Sequence, residues 1–286
     1  MIEYEAGRFE MKYAVPVSLR GDILAALKGY VTPDPHATLL GAPLEGTGAR
    51  GYTVHSLYFD TPRLDDYFDR LANRQVRDRL RVRTYGEPGD AAPVFMENKR
   101  KYETLVVKQR AKLCTYGEYR RTAGDTPWRA FIPKLKAKHR FAAEHISWLI
   151  EQGGRVPVSS VHYVREVFVP TQGDDAEARL TMDHDCTATE RPDVHDITCA
   201  PGYPIIPRGW MVLELKFRDI RPGWMDRLAR ELHLHAESVS KFGLSVAQGV
   251  RASRPAELRA LTPVSVLGAR AAPRLGTLAE LPEAAR

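Results

Sequence analysis

The stretch RDRLRVRTYG, residues 77–86, places Arg77, Arg79, Arg81 and Arg83 at every second position. Side chains alternate between the two faces of a β-strand, so this spacing sets four guanidinium groups on one side. A charged row is more often the wetted side of a half-buried sheet than a binding site. The other chemistry open to it is anion binding: planar, permanently charged guanidinium forks match phosphate oxygens in bidentate fashion.

The same alternation recurs along the chain. Phe9, Met11, Tyr13 and Val15 oppose Glu10 and Lys12; Leu80 and Val82 oppose the arginines; Leu105 and Val107 oppose Lys108 and Arg110. Leu180 and Met182 oppose Arg179, Thr181 and Asp183, and Leu213, Leu215 and Phe217 oppose Glu214 and Lys216. Glu97 and Lys99 share one face, and Arg165 shares one with Tyr163. Collected, the polar face holds Lys12, Arg79, Arg81, Arg83, Lys99, Lys108, Arg110, Arg165, Arg179 and Lys216 against Glu10, Glu97, Asp183 and Glu214. Confined together, that many cations repel one another unless an anion screens them. A sheet closed into a barrel would turn them into its lumen and make a phosphate-binding tunnel, where a carboxylate could hold a divalent metal against the phosphates. An open sheet would show them to water.

The elements that must position these residues are legible as runs. RFEMKYAV (8–15), YTVHSLYFD (52–60), RLRVRTYG (79–86), PVFMENKRK (93–101), TLVVKQRAKL (104–113), SVHYVREVFV (160–169), ARLTMDHD (178–185) and WMVLELKF (210–217) predict strands, being rich in β-branched and aromatic residues and bounded by turn formers. Residues 17–30, 139–152, 223–234 and 240–250 predict amphipathic helices covering one surface of the sheet. The expectation is an α+β fold, a mostly antiparallel β-barrel with flanking helices over residues 1–253, followed by a loosely structured tail over 254–286.

The 286 residues carry a formal charge of +6 and a pI near 9.2, a balance that leans toward a polyanionic partner. The start has no basic segment followed by an apolar run, no window reaches the roughly 18 apolar residues of a membrane helix, and three scattered cysteines make no disulfide framework. A soluble, reducing, cytoplasmic setting is expected. GTGARG (46–51) precedes a strand instead of opening a helix and reads as a turn, and no P-loop is present. His184, Cys186, His195 and Cys199 lack the common zinc spacings, and SLYFDTPRLDDYFDR (56–70) reads as strand, turn and short helix. The basic run 99–112 carries no helix-turn-helix, zinc-finger or RNP signature, so no specific nucleic acid is expected.

MKYAVP, RLRVRTYG, ENKRK followed by VVKQRAK, YVRE, RLTMDHD, LELKF and SVSKFGLSV occur in this order over residues 8–250. Together they resemble the catalytic domain of the vacuolar transporter chaperone (VTC) polyphosphate polymerases, within the triphosphate tunnel metalloenzymes that include the CYTH phosphatases. The resemblance implies a tunnel that binds ATP and inorganic polyphosphate, with Mn²⁺ or Mg²⁺. Lys12, Arg81, Arg83, Lys99, Lys108, Arg165 and Lys241 would bind phosphate, Glu214 would hold the metal, and Arg110, Glu97 and Lys216 are second choices. Lys12, Arg81, Arg83, Lys99, Arg165 and Lys241 would be the catalytic set. Two positions depart from the pattern. Arg8-Phe9-Glu10-Met11-Lys12 lacks the first glutamate of the CYTH Glu-x-Glu-x-Lys, and Ser238 stands where the first of two late lysines would be. The resemblance also implies a membrane partner protein. A triphosphatase of the same architecture and a non-catalytic binder of polyphosphate or nucleic acid are the alternatives.

Overall fold

The computed structural model describes residues 9–253 apart from 41, 44–49, 88, 103–104, 172–176, 200–201 and 219. The expected tail and most of the GTGARG turn lie outside the described residues. All eight sequence-predicted strands form: β1 (Phe9–Pro16), β4 (Arg50–Asp60), β6 (Leu80–Tyr85), β7 (Pro93–Tyr102), β8 (Leu105–Thr115), β9 (Val156–Pro170), β10 (Arg179–Glu190) and β12 (Trp210–Phe217). Four short strands join them: β2 (Val31–Pro33), β3 (Ala42–Pro43), β5 (Val76–Arg77) and β11 (Tyr203–Pro204). The helices are α1 (Arg20–Ala26), α2 (Pro35–Leu40), α3 (Asp65–Leu71), α4 (Tyr116–Arg120), α5 (Ala137–Gln152), α6 (Gly223–Glu231) and α7 (Lys241–Ser253).

Every strand pair is antiparallel, and the main order is β1-β12-β10-β9-β4-β6-β7, with β8 also paired to β7. The expected closed barrel is corrected here. Among the described residues no ladder joins β8 to β1, so the sheet is open. It is nevertheless strongly curled. In a flat sheet six neighbour steps would hold β1 and β7 about 29 Å apart, yet Lys99 Nζ of β7 lies 2.7 Å from Glu10 Oε2 of β1. This ion pair joins β7 to β1 across the concave face.

Parity then fixes which side is covered. The outward residues Leu57, Phe59, Leu80, Val82, Val94, Met96 and Ala111 pack beneath Tyr119 of α4 and Ala143, Ile146 and Ile150 of α5. Farther round, Tyr13, Val15, Leu180, Met182, Leu213 and Leu215 pack beneath Ile23 of α1 and Met225 and Leu228 of α6. Fully burying each such side chain contributes about 1.5–3 kcal/mol before entropy is counted. The concave side has its own apolar cluster, where Val54, Tyr58, Val161, Tyr163 and Val212 meet Phe242 and Val246 of α7, so this helix covers the opposite surface from α1, α5 and α6 in place of the single surface expected. Asp60 ends β4 and accepts from the backbone N–H groups of Thr61, Asp66 and Tyr67. That strand–turn–helix connection sets α3 beside α7.

Candidate functional site

Four carboxylates organise the concave face. Glu97 of β7 is fully buried; Arg81 Nε lies 2.7 Å from its Oε2, Arg83 3.7 Å, Lys108 3.0 Å and Arg110 3.2 Å from its oxygens. Glu214 of β12 gathers Lys12 at 3.3 Å, Lys216 at 2.8 Å, Lys241 at 3.2 Å and Arg165 at 3.6 Å. Asp183 of β10 is held by Arg165 at 2.6 Å and Lys241 at 2.5 Å. Glu10 takes Lys99 at 2.7 Å and Lys12 at 3.8 Å. Tyr163 links the two groups: its hydroxyl is 3.5 Å from Arg83, and its ring lies under Arg165 and Lys241 at 5.1 and 4.8 Å.

All nine basic residues that the family resemblance singled out thus face the same four carboxylates. Nine cations against four carboxylates leave five positive charges confined on one concave surface. Arg179, also expected on this face, is exposed, and Arg79 turns onto the Phe242 ring of α7 at 4.4 Å.

The electrostatics follow. Burial pushes the Glu97 carboxyl up, but Arg81, Arg83, Lys108 and Arg110 outweigh it and hold it well below the usual range. The same contest leaves Glu214 well below, with Lys12, Lys216, Lys241 and Arg165 as the opposing cations. Burial lowers Lys99 to about 8 in spite of Glu10. Lys241 goes the other way, since Asp183 and Glu214 overcome its burial. The hydroxyls of Tyr58 and Ser56 were not singled out in the sequence, although both residues have the right parity in YTVHSLYFD. Tyr58 Oη accepts from Arg81 at 3.1 Å, and Ser56 Oγ accepts from Arg83 Nε at 2.9 Å. Burial raises the Tyr58 phenol, but Arg81 and Arg83 bring it to about 8.

Glu214, Glu10 and Asp183 offer carboxylate oxygens, the hard donors that Mn²⁺ or Mg²⁺ takes. Among the described residues no group of three His, Cys, Asp or Glu side chains is arranged to hold a metal ion. A metal at these carboxylates would have to draw its other ligands from phosphate oxygens and water. Away from this face, His184 Nε2 lies 2.6 Å from Glu166, which also takes a bidentate fork from Arg20.

The sequence matches the VTC domain over residues 7–250. The chain belongs to the VTC-domain family. No curated protein matches it in sequence. Solved structures similar to this VTC-domain chain include a proposed adenylate cyclase from Vibrio parahaemolyticus, 13% identical with a TM-score of 0.39, covering 83% of this chain and 98% of that one. A Pyrococcus horikoshii protein is 12% identical with a TM-score of 0.40, covering 84% and 99%. A proposed adenylyl cyclase from Hippeastrum, described as having a dominant triphosphatase activity, is 17% identical with a TM-score of 0.46, covering 88% and 98%. At these TM-scores the likenesses carry no functional weight.

Proposed function

We propose that this protein is a polyphosphate polymerase, transferring the γ-phosphoryl group of ATP to the end of a growing inorganic polyphosphate chain on its concave face. The observation that carries the reading is the surplus of confined cations around Glu97 and Glu214. Such a surface gains most from a ligand with many closely spaced negative charges. Lys12, Arg81, Arg83, Lys99, Lys108, Arg110, Arg165, Lys216 and Lys241 bind and align the phosphates, holding donor and acceptor in line.

In the transfer, an oxygen of the terminal chain phosphate bonds to the γ-phosphorus while the bond to the bridging oxygen breaks, and ADP leaves with that electron pair. No protein nucleophile is needed. Mn²⁺ or Mg²⁺ held by Glu214 would offset the charge developing on the leaving phosphate. Glu97, Asp183 and Glu214 are weak bases because their cation partners keep them ionised, which supports an acceptor that is already an anion over a water that must be deprotonated. Among the described residues no helix is long and apolar enough to cross a membrane. We place the activity in the cytoplasm, and export of the chain requires a membrane partner protein.

The test is to incubate the pure protein with ATP and Mn²⁺ while following ADP and chain length on a gel. Chains that lengthen as ADP appears are the expected result. Orthophosphate without chains makes the protein a triphosphatase, and no turnover makes it a binder. Glu214→Gln is expected to retain triphosphate binding and lose metal-dependent turnover; unchanged turnover would place the metal elsewhere.

A further inference from the structure

The arginine row divides in two. Arg81 and Arg83 reach Glu97, whereas Arg77 and Arg79 do not. Arg77 instead donates to the Arg70 carbonyl oxygen at 3.3 Å and to Asn73 Oδ1 at 3.4 Å. Arg79 stacks on Phe242, and its Nη1 is buried without a hydrogen-bond partner. Lys101, the cross-strand partner of Arg77, continues the Glu97–Lys99 face of β7. Arg70 of α3 reaches across to the Ser238 carbonyl oxygen at 3.0 Å and its Oγ at 3.4 Å, ahead of α7.

None of these four cations has a carboxylate within ion-pair distance among the described residues. The acids nearest Arg79 are engaged elsewhere: Asp66 by a bidentate fork from Arg155, and Asp60 by three backbone N–H groups at the start of α3. The cations feel one another: burial and then Arg77 lower Arg70, while burial and then Arg77 and Arg70 lower Lys101. Residues 77 to 83 span at most about 20 Å of extended chain, longer than one triphosphate.

We propose that Arg70, Arg77, Arg79 and Lys101 form a second anion subsite at the rim of the concave face, which holds the distal part of a polyphosphate chain whose end lies at Glu97 and Glu214. This rests on the concave face taking phosphate. A short triphosphate is held by the cations around the carboxylates, and a long chain continues onto the rim, where its charge meets cations with no acid to neutralise them. The Nη1 of Arg79 gains a phosphate oxygen there. Ser238, where the family pattern has a lysine, is flanked by the guanidinium of Arg70, so positive charge is supplied from α3.

The test compares tripolyphosphate with long-chain polyphosphate in the wild type, in the combined variant Arg70→Gln, Arg77→Gln, Lys101→Gln, and in Arg83→Gln. The combined variant is expected to lower the long-chain to tripolyphosphate affinity ratio by at least about tenfold and to flatten the salt dependence of long-chain binding by about two charges. The charge-preserving variant Arg70→Lys, Arg77→Lys, Lys101→Arg is expected to restore most of the ratio, which a merely structural role would not predict. An unchanged ratio in the combined variant overturns the rim subsite. Tripolyphosphate affinity unchanged in Arg83→Gln overturns the concave face as the phosphate site, a distinct failure. A single-stranded oligonucleotide that binds the wild type as tightly as polyphosphate, and loses as much in the combined variant, overturns the assignment to a phosphate chain.

Discussion

Lys99 and Tyr58 are the residues of the concave face whose chemistry changes just above neutral pH. Both sit at about 8, Lys99 because burial lowers it and Tyr58 because Arg81 and Arg83 overcome its burial. As pH rises through this value Lys99 loses a positive charge and Tyr58 gains a negative one, so both changes weaken anion binding. Tripolyphosphate affinity is therefore expected to fall on the alkaline side of about pH 8 and to hold in the double variant Lys99→Arg, Tyr58→Phe, read by calorimetry across pH 6.5–9.5. An alkaline fall of equal size in the double variant would move the titrating group elsewhere. Glu97 carries the opposite prediction. It is the fully buried anion among four cations, so Glu97→Gln leaves those cations unneutralised and is expected to cost about 3–5 kcal/mol of stability without ligand. Tripolyphosphate should restore much of that loss in a thermal melt. Individual residues of this site were legible because strand alternation is local. Which carboxylate each cation meets was not, since Lys99–Glu10 and Lys241–Asp183 join residues 89 and 58 positions apart.

At the scale of the element, β9 turns two adjacent charged residues to opposite faces of the sheet. Arg165 points to the concave face and Asp183, while Glu166 points out to Arg20 and His184. Arg165→Gln is expected to reduce tripolyphosphate affinity by about tenfold or more, the worth of a charge-assisted bidentate contact. Arg20→Ala leaves Glu166 buried with one partner fewer and should lower the melting temperature with tripolyphosphate affinity within a factor of about two. Binding lost in Arg20→Ala and tripolyphosphate affinity unchanged in Arg165→Gln would invert the assignment of the two faces. The eight long strands were readable because each alternates over enough residues to reveal its period. The strands β2, β3, β5 and β11 have only two or three residues, too few for a period, and they exist because a longer neighbour pairs with them. Helix 17–30 of the sequence became a 3₁₀ turn over Val17–Leu19 and α1, which ends at Ala26. Gly29, at φ 86°, follows in the left-handed conformation that glycine supplies without strain.

The curl of the whole sheet is what turns an arginine row into a site, and it could not be read from any one strand. Twist accumulates over the neighbour pairs from β1 to β7, and it brings Lys99 of β7 against Glu10 of β1 across the concave face. Parity alone fits an open, wetted face as well as an enclosed one. Enclosure changes the energetics, because five uncompensated charges in a low-dielectric concavity repel far more than the same charges spread over a surface. The ligand-free protein should then be stabilised by anything that enters and neutralises them. A ligand at about 100 times its dissociation constant adds about 2.7 kcal/mol, which for a chain of this size amounts to a rise of about 5–10 °C in melting temperature at about 2–4 °C per kcal/mol. Tripolyphosphate is expected to give this rise at a concentration where sodium chloride of equal ionic strength gives a small fraction of it. Screening acts on every surface charge alike, whereas a confined site responds to the anion that fits between its walls. Equal shifts from the two salts would mean that the cations lie open to bulk water, and the arginine row would then be the solvated face that its spacing alone also allows.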